Sequence, residues 1–169
     1  METLLLDEFK SNAIFRLKEG QRMILLAFNN IDEQQLWLYP QKNGLALGNQ
    51  IVHSCGNMRQ YIISSLGGQS DVRKRDLEFS IQGGMSKKEV LEHLEKTLHQ
   101  AVEVIQKTEA KEYIKIRKVQ GFTLSGVGVV LHAVEHFSYH VGQIAFWVKQ
   151  LTNQDLGFYK NVDLNQSNS

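Results

Sequence analysis

A single proline, Pro40, stands in this chain of 169 residues. Proline removes a backbone hydrogen-bond donor and clashes with the preceding helical turn, so its near absence leaves long helices free to form. Four segments have apolar residues at the intervals of three and four that an amphipathic helix requires. They span residues 2–30, 49–66, 87–106 and 125–151. The sequence therefore predicts an all-α protein built as a four-helix bundle.

Local signals indicate where two of these helices begin and end. Asn49 is the predicted N-cap of the second helix, and the glycine pair at 67–68 ends that helix. At the start of the third helix, Ser86 and Glu89 have the spacing of a capping box. In a capping box each side chain binds the free backbone N–H of the other residue.

The segments between the helices are harder to assign. Residues 67–85 are expected to be irregular, and the basic run at 72–75 within them to be a solvated loop, because acidic residues flank it. Residues 111–124 alternate apolar and polar side chains, which fits a short strand or a frayed helix end, and we favour an extended connection. The whole pattern predicts one domain over residues 1–160 and a polar tail at 161–169.

Composition excludes several classes of function. Nineteen Lys and Arg balance 18 Asp and Glu, and no dense basic cluster exists, so no nucleic-acid partner is expected. No window approaches 18 apolar residues, so no membrane partner is expected either. Cys55 is the single cysteine, which excludes an internal disulfide and fits a cytoplasmic location. Because it falls on the apolar side of its helix, we interpret it as buried rather than catalytic.

Three of the six histidines lie at intervals of four residues in the last helix: His132, His136 and His140. Such neighbours are about 6 Å apart on one side of a helix, where two imidazoles can reach one metal ion. On a helical wheel of the last helix, the apolar residues form one arc. His140 lies at the edge of that arc, His136 lies beside it and His132 lies furthest from the arc. His136 and His140 therefore make the better ligand pair. Histidines on a helix flank are as often purely structural, and helix geometry leaves both interpretations open.

A metal site needs a third protein ligand from elsewhere in the chain. His93 and His99 look like solvated residues of the third helix. His53 lies on the polar side of the second helix, near Asn57. That position fits ordinary surface, and it equally fits a metal site open to water.

Two stretches carry a resemblance to a known family. "NQIVHSCGNMRQYIISSLGG" at 49–68 and "LHAVEHFSYHVGQIAFWVKQL" at 131–151 resemble the DinB/YfiT-like family of bacterial helical bundles, and a branch of unknown function in particular. In that family a histidine of the second helix and a His-x-x-x-His pair of the last helix, followed by Gly-Gln, bind a divalent metal. The resemblance, which covers residues 5–158, implies the ligands His53, His136 and His140.

The resemblance also implies a fold and a choice of chemistries. The family's bundle runs up-down-down-up, for which residues 67–85 would form the crossover. Zinc or nickel would be the metal, with iron or manganese as alternatives. The enzyme would transfer a low-molecular-weight thiol to electrophiles or hydrolyse a small-molecule substrate. Many members carry an arginine after the last ligand, where this chain has Val141.

Two further questions remain open on the sequence. Asn57, His132 and Gln143 could orient the ligands or a substrate, or be ordinary polar residues of their helices. The competing function is a non-catalytic, metal-binding homodimer that acts in protein interactions or a stress response. Phe146 and Trp147 of the last helix would then form the dimer face, although both could equally be buried within one chain.

Overall fold

The computed structural model describes residues 2–41 and 44–167, and it is dominated by four long helices. The second long helix, α3 (Leu47–Met58), continues directly as a π-helical segment over Arg59–Leu66. In chain order the elements are α1 (Glu2–Phe28), α2 (Glu33–Leu36), α3 (Leu47–Met58), α4 (Arg75–Ser80), α5 (Lys87–Lys107), α6 (Ala110–Ile114), β1 (Ile116–Val119), β2 (Phe122–Ser125) and α7 (Gly126–Thr152). The predicted all-α four-helix bundle is confirmed, with one short β-hairpin added to it.

Contacts at the helix ends give the direction of α5 relative to α1. The ammonium of Lys10, near the start of α1, donates to the main-chain oxygen of Thr108 after the end of α5, at 2.8 Å. At the opposite end, Lys87 donates to the main-chain oxygen of Ile31 at 2.7 Å. The start of each helix therefore meets the end of the other, and the two are antiparallel.

The remaining pairs complete the topology. Gln50 of α3 approaches His140, whereas Tyr61, further along, stacks on His132, so α3 and α7 are antiparallel. The bundle thus has the up-down-down-up order, because α7 runs parallel to α1. Two contacts show that α7 and α1 are parallel. Phe9, in the first half of α1, packs on Tyr113, which precedes α7. Arg22, in the second half of α1, donates to the main-chain oxygen of Phe158, which follows α7.

The start of α3 differs from the prediction. The helix begins at Leu47 with Ala46 in the N-cap position, so Asn49 is not the cap. The Asn49 side chain is fully buried, and its amide donates to the main-chain oxygens of Glu78 at 3.0 Å and Ile81 at 2.7 Å. An asparagine near the start of a helix can form hydrogen bonds with a neighbouring segment instead of capping its own helix. The local sequence does not distinguish these two roles.

The predicted starts of the other two helices are confirmed. Ser86 and Glu89 form the capping box, with the Ser86 backbone N–H donating to the Glu89 carboxylate at 2.8 Å. Ser125 caps α7 by accepting a hydrogen bond from the Gly128 backbone at 3.1 Å. In both cases the signal is local, so the sequence contains all of it.

Both long connections contain structure that their sequences conceal. The segment 67–85, expected to be irregular, includes α4, and 111–124 begins with most of α6 before turning extended. The extended part is the hairpin, in which Val119 pairs with Phe122 around Gln120 and Gly121. Both turn residues have positive φ, as a two-residue hairpin turn of type I′ requires.

The core lies between the four long helices and comprises mainly aliphatic side chains. Gly20 of α1 faces it where Phe137 of α7 crosses, and a Cβ at Gly20 would lie 2.7 Å from the Phe137 ring. Because α1 and α7 approach each other so closely here, only a residue without a side chain fits at position 20. Within residues 2–41 and 44–167, no helix is both long and apolar enough to span a membrane.

Candidate metal centre and its cleft

Three histidines converge where α3 crosses α7. His53 comes from α3, and His136 and His140 come from α7 one turn apart. One ring nitrogen from each lies within 4.8 Å of the other two. The Nε2 atoms of His53 and His136 are 3.1 Å apart, and His53 and His140 are 6% and 5% exposed.

This arrangement fits a tetrahedral metal ion. Zn–N bonds of about 2.0–2.1 Å place two tetrahedral ligand nitrogens about 3.4 Å from each other. The His53–His136 separation of 3.1 Å is close to that value, and a His140 nitrogen lies within 4.8 Å of both. Three imidazoles leave at least one coordination position for a small molecule, which is the arrangement of catalytic sites. Imidazole ligands suit zinc, nickel and iron.

A buried ion pair fixes the orientation of His53. Its Nδ1 lies 2.8 Å from Glu78 Oε2, in α4. Arg73 holds the same carboxylate with two hydrogen bonds, Nε to Oε1 and Nη2 to Oε2, both 2.8 Å long. The carboxylate therefore accepts from Nδ1–H of His53, and the lone pair of Nε2 is left facing His136. A carboxylate that orients a ligating histidine in this way is a common feature of metal sites.

The charge of Glu78 follows from its partners. Burial opposes ionisation of the carboxyl group, but the hydrogen bonds from Arg73 and His53 outweigh it and hold the pKa of Glu78 below its ordinary value. The residue is therefore a carboxylate at neutral pH. Its negative charge is balanced by Arg73, whose side chain is only 3% exposed.

Arg73 is in turn held by the end of the second long helix. Its Nη1 donates to Gln60 Oε1 at 2.9 Å, and Gln60 donates to Asp71 at 2.8 Å. The prediction of a solvated loop at 72–75 is thus wrong for Arg73. The flanking acidic residues suggested solvent, whereas the fold supplies a buried partner five residues further on.

Burial also sets the protonation of the two α7 histidines. Desolvation, together with the neighbouring histidines, lowers the pKa of His136 to about 3 and, with His53, that of His140 to about 4. Both imidazoles are neutral at pH 7, which is the form that binds metal. His140 Nδ1 is 3.4 Å from Gln50 Oε1, so donation to that amide leaves Nε2 free for a metal.

A cleft of about 340 Å³ opens beside the three histidines. Both His53 and His136 border it, so a ligand in the cleft reaches the face of the cluster. Its lining, as far as the structure describes the chain, contains no carboxylate. The lining residues are His53, Asn57, Arg73, Arg75, Gln120, Phe122, His132 and His136.

The family model described as a protein of unknown function, DUF1572, matches residues 5–162. The chain belongs to the DUF1572 family.

Solved structures of DinB-like proteins share the fold of this DUF1572 protein, as the resemblance predicted. It is similar to a DinB-like protein from Bacillus cereus ATCC 10987, with a TM-score of 0.67 and 16% identity over 86% of this chain and 91% of that one. It is also similar to the DinB-like protein YjoA from Bacillus subtilis, with a TM-score of 0.65 and 10% identity over 85% and 94%. Identities this low establish the fold alone. None of the curated proteins matches the chain.

The three residues that could support the site or be ordinary polar residues of their helices lie in different places. Asn57 is buried and borders the cleft, and its Oδ1 has no hydrogen-bond partner among the described residues. His132 also borders the cleft, outside the three-histidine cluster, where its ring stacks on Tyr61 with centroids 4.1 Å apart. Gln143 lines a separate cleft with Gln50, towards the other end of α7.

The other predicted residues have simpler outcomes. His99 is exposed, as predicted, whereas His93 is partly buried near Arg59 and belongs to neither the cluster nor its cleft. Cys55 is fully buried, which raises the pKa of its thiol to about 12. A thiol in that state is inert, in agreement with the prediction.

Glu78, Arg73 and Gln50 are the residues that sequence reasoning missed. One signal for Glu78 was present at Gly56, a glycine inside a helix three residues after His53. A Cβ at Gly56 would overlap the Glu78 carboxylate and crowd Arg73. An interior helix glycine costs about 1 kcal/mol relative to alanine, so its presence indicates close packing by another group.

Proposed function

We propose that this DUF1572 protein is a metal-dependent enzyme that transfers a low-molecular-weight thiol to an electrophile. His53, His136 and His140 would hold one divalent ion, zinc or nickel, with iron or manganese as alternatives. The observation that carries the proposal is the orientation of His53. Its Nδ1 is bound to a buried carboxylate while its Nε2 lies 3.1 Å from that of His136. A structural histidine does not need two neighbouring imidazoles directed at the same point.

The cleft favours thiol transfer over hydrolysis. When bound by three neutral imidazoles, a divalent ion keeps its positive charge and stabilises either a thiolate or a hydroxide at its open position. Metal-dependent hydrolases commonly use a carboxylate as general base, as in the His-Glu-x-x-His enzymes. The described lining of this cleft has none, because Glu78 is committed to Arg73 and His53. A thiol has a pKa of about 8.5 and loses its proton without such a base.

The thiol must come from outside the chain, because Cys55 is buried and protonated. In the transfer, the sulfur lone pair forms a bond to an electrophilic carbon, and the leaving group departs with its bonding electrons. The thiol proton passes to solvent. Asn57, Gln120 and His132 border the cleft and would orient the substrate.

A kinetic assay tests this proposal. The protein is loaded with zinc or nickel and supplied with cysteine or N-acetylcysteine and 1-chloro-2,4-dinitrobenzene. We expect turnover that saturates with both substrates, is lost in His53→Ala and is retained in His99→Ala, which removes an exposed histidine of α5. Metal-dependent hydrolysis of a nitrophenyl ester without thiol transfer would contradict thiol transfer and support a hydrolase.

A second candidate, a non-catalytic metal-binding homodimer, has its own supporting observation. Tyr139 and Phe146 of α7 are each 64% exposed. Trp147 is less available, because it packs partly on the core and donates to the main-chain oxygen of Leu38 at 3.3 Å. Light scattering would show a dimer that Phe146→Ser converts to a monomer, together with metal binding and no turnover. A wild-type monomer would exclude this candidate.

A further inference from the structure

We propose that the cleft beside the three histidines selects thiols that carry a carboxylate, and that Arg75 is the group that binds it. The inference rests on the proposed function and names the chemical class of its substrate. It follows from the charge of the cleft, from the position of Arg75 and from the amide side chains that accompany it.

The cleft carries one uncompensated positive charge. Two arginines border it, and Glu78 neutralises Arg73 through two hydrogen bonds. Arg75 forms no ion pair with any acidic residue in the described part of the chain. One cation in a cleft without carboxylates suits a ligand with one negative charge. The planar guanidinium of Arg75 matches a carboxylate in particular.

Arg75 is also held at a defined position next to the cluster. Its guanidinium lies over the ring of Phe79, 4.6 Å from the ring centroid. The same ring contacts His53, with centroids 4.7 Å apart. A single aromatic side chain therefore touches both the arginine and a proposed ligand, and both residues border the cleft that a small molecule would occupy. Stacking on an aromatic ring also limits the freedom that the arginine would lose on binding.

Two amides complete the polar surface of the cleft. Asn57 is 2% exposed, and its Oδ1, which lacks a hydrogen-bond partner in the described structure, would accept from an N–H or O–H group of the ligand. Gln120 uses its Oε1 to accept from the Tyr61 hydroxyl at 3.1 Å, which leaves its NH₂ group for a ligand. Its φ of 49° is the value that the two-residue hairpin turn requires.

The test uses the full chain loaded with Co²⁺, whose visible absorption changes when sulfur binds. The probes are 3-mercaptopropionate and its neutral counterpart of equal length, 3-mercaptopropionamide. We expect the carboxylate to bind about threefold to tenfold more tightly than the amide, which is the range for a partly exposed, charge-assisted pair. In Arg75→Gln this ratio should fall to about one with the cobalt content unchanged. Arg75→Lys keeps the charge and should retain part of the preference.

The control is Arg16→Gln, which removes the same charge from the exposed side of α1 and should keep the wild-type ratio. Equal binding of the two probes by the wild type, or an unchanged ratio in Arg75→Gln, would overturn this inference and leave the proposed function intact. A chain that takes up no cobalt would overturn both. Because Arg75 is exposed, its substitution leaves the core unchanged.

Discussion

Glu78 accepts a hydrogen bond from His53 across 2.8 Å, although the two residues belong to different helices and lie 25 positions apart. That contact joins the connection between α3 and α5 to the candidate metal centre. It orients the imidazole, fixes which nitrogen carries the proton and buries a carboxylate that Arg73 must balance. The segment 67–85 therefore contributes to the site as well as crossing the bundle.

Replacing this carboxylate should weaken metal binding without removing a ligand. We predict that Glu78→Gln lowers the affinity for zinc by about 10–100-fold, the usual effect of removing a carboxylate that orients a ligating histidine. Titration with a competing chelator measures the change. Glu92→Gln, on the exposed face of α5, is the control and should bind as the wild type does. Equal affinities for the two variants would show that Glu78 has only a structural role.

The four histidines around the site should separate into two groups. Alanine at His53, His136 or His140 removes a direct bond to the metal and should reduce affinity by more than about 100-fold. The metal affinity of His132→Ala should fall by no more than about 10–100-fold, which is the loss typical of residues that act through a ligand. Metal content after dialysis distinguishes them. If His132→Ala emptied the site while His53→Ala stayed loaded, the metal would belong to the 132–136–140 stripe.

Two glycines provide a matched test of packing at the site. Gly56→Ala places a methyl group against Glu78 and should destabilise the protein by about 1–3 kcal/mol and weaken metal binding. Gly142→Ala, in α7, meets open space and should stabilise the protein by up to about 1 kcal/mol through helix propensity. Urea denaturation of both variants measures the free energies of unfolding. An equally stable Gly56→Ala would mean that Glu78 moves freely.

The lone cysteine should be unreactive in the folded protein. Burial raises the pKa of the Cys55 thiol to about 12, so no thiolate is available at neutral or mildly alkaline pH. We expect no reaction with Ellman's reagent between pH 7 and 9 in native buffer and one equivalent of reaction in denaturant. Rapid labelling of the native protein would reopen the possibility of a protein nucleophile.

The sequence predicted the features whose signals are local. Helix periodicity and the Ser86–Glu89 capping box depend on residues within a few positions of each other, and both are confirmed. Arg73 and Asn49 were misplaced because their partners lie on other elements. On a helical wheel His53 fitted both ordinary surface and a metal site open to water, and in the structure it is buried against α4 and α7. Only the resemblance to a family predicted its place beside His136 and His140.

The central claim is that His53, His136 and His140 bind one divalent ion. The most direct measurement is elemental analysis of protein purified without a polyhistidine tag, both as isolated and after reconstitution with zinc or nickel. We predict about one equivalent of metal per chain, and less than a tenth of an equivalent in His53→Ala treated identically. Reconstituted wild-type protein with well under a tenth of an equivalent would contradict it.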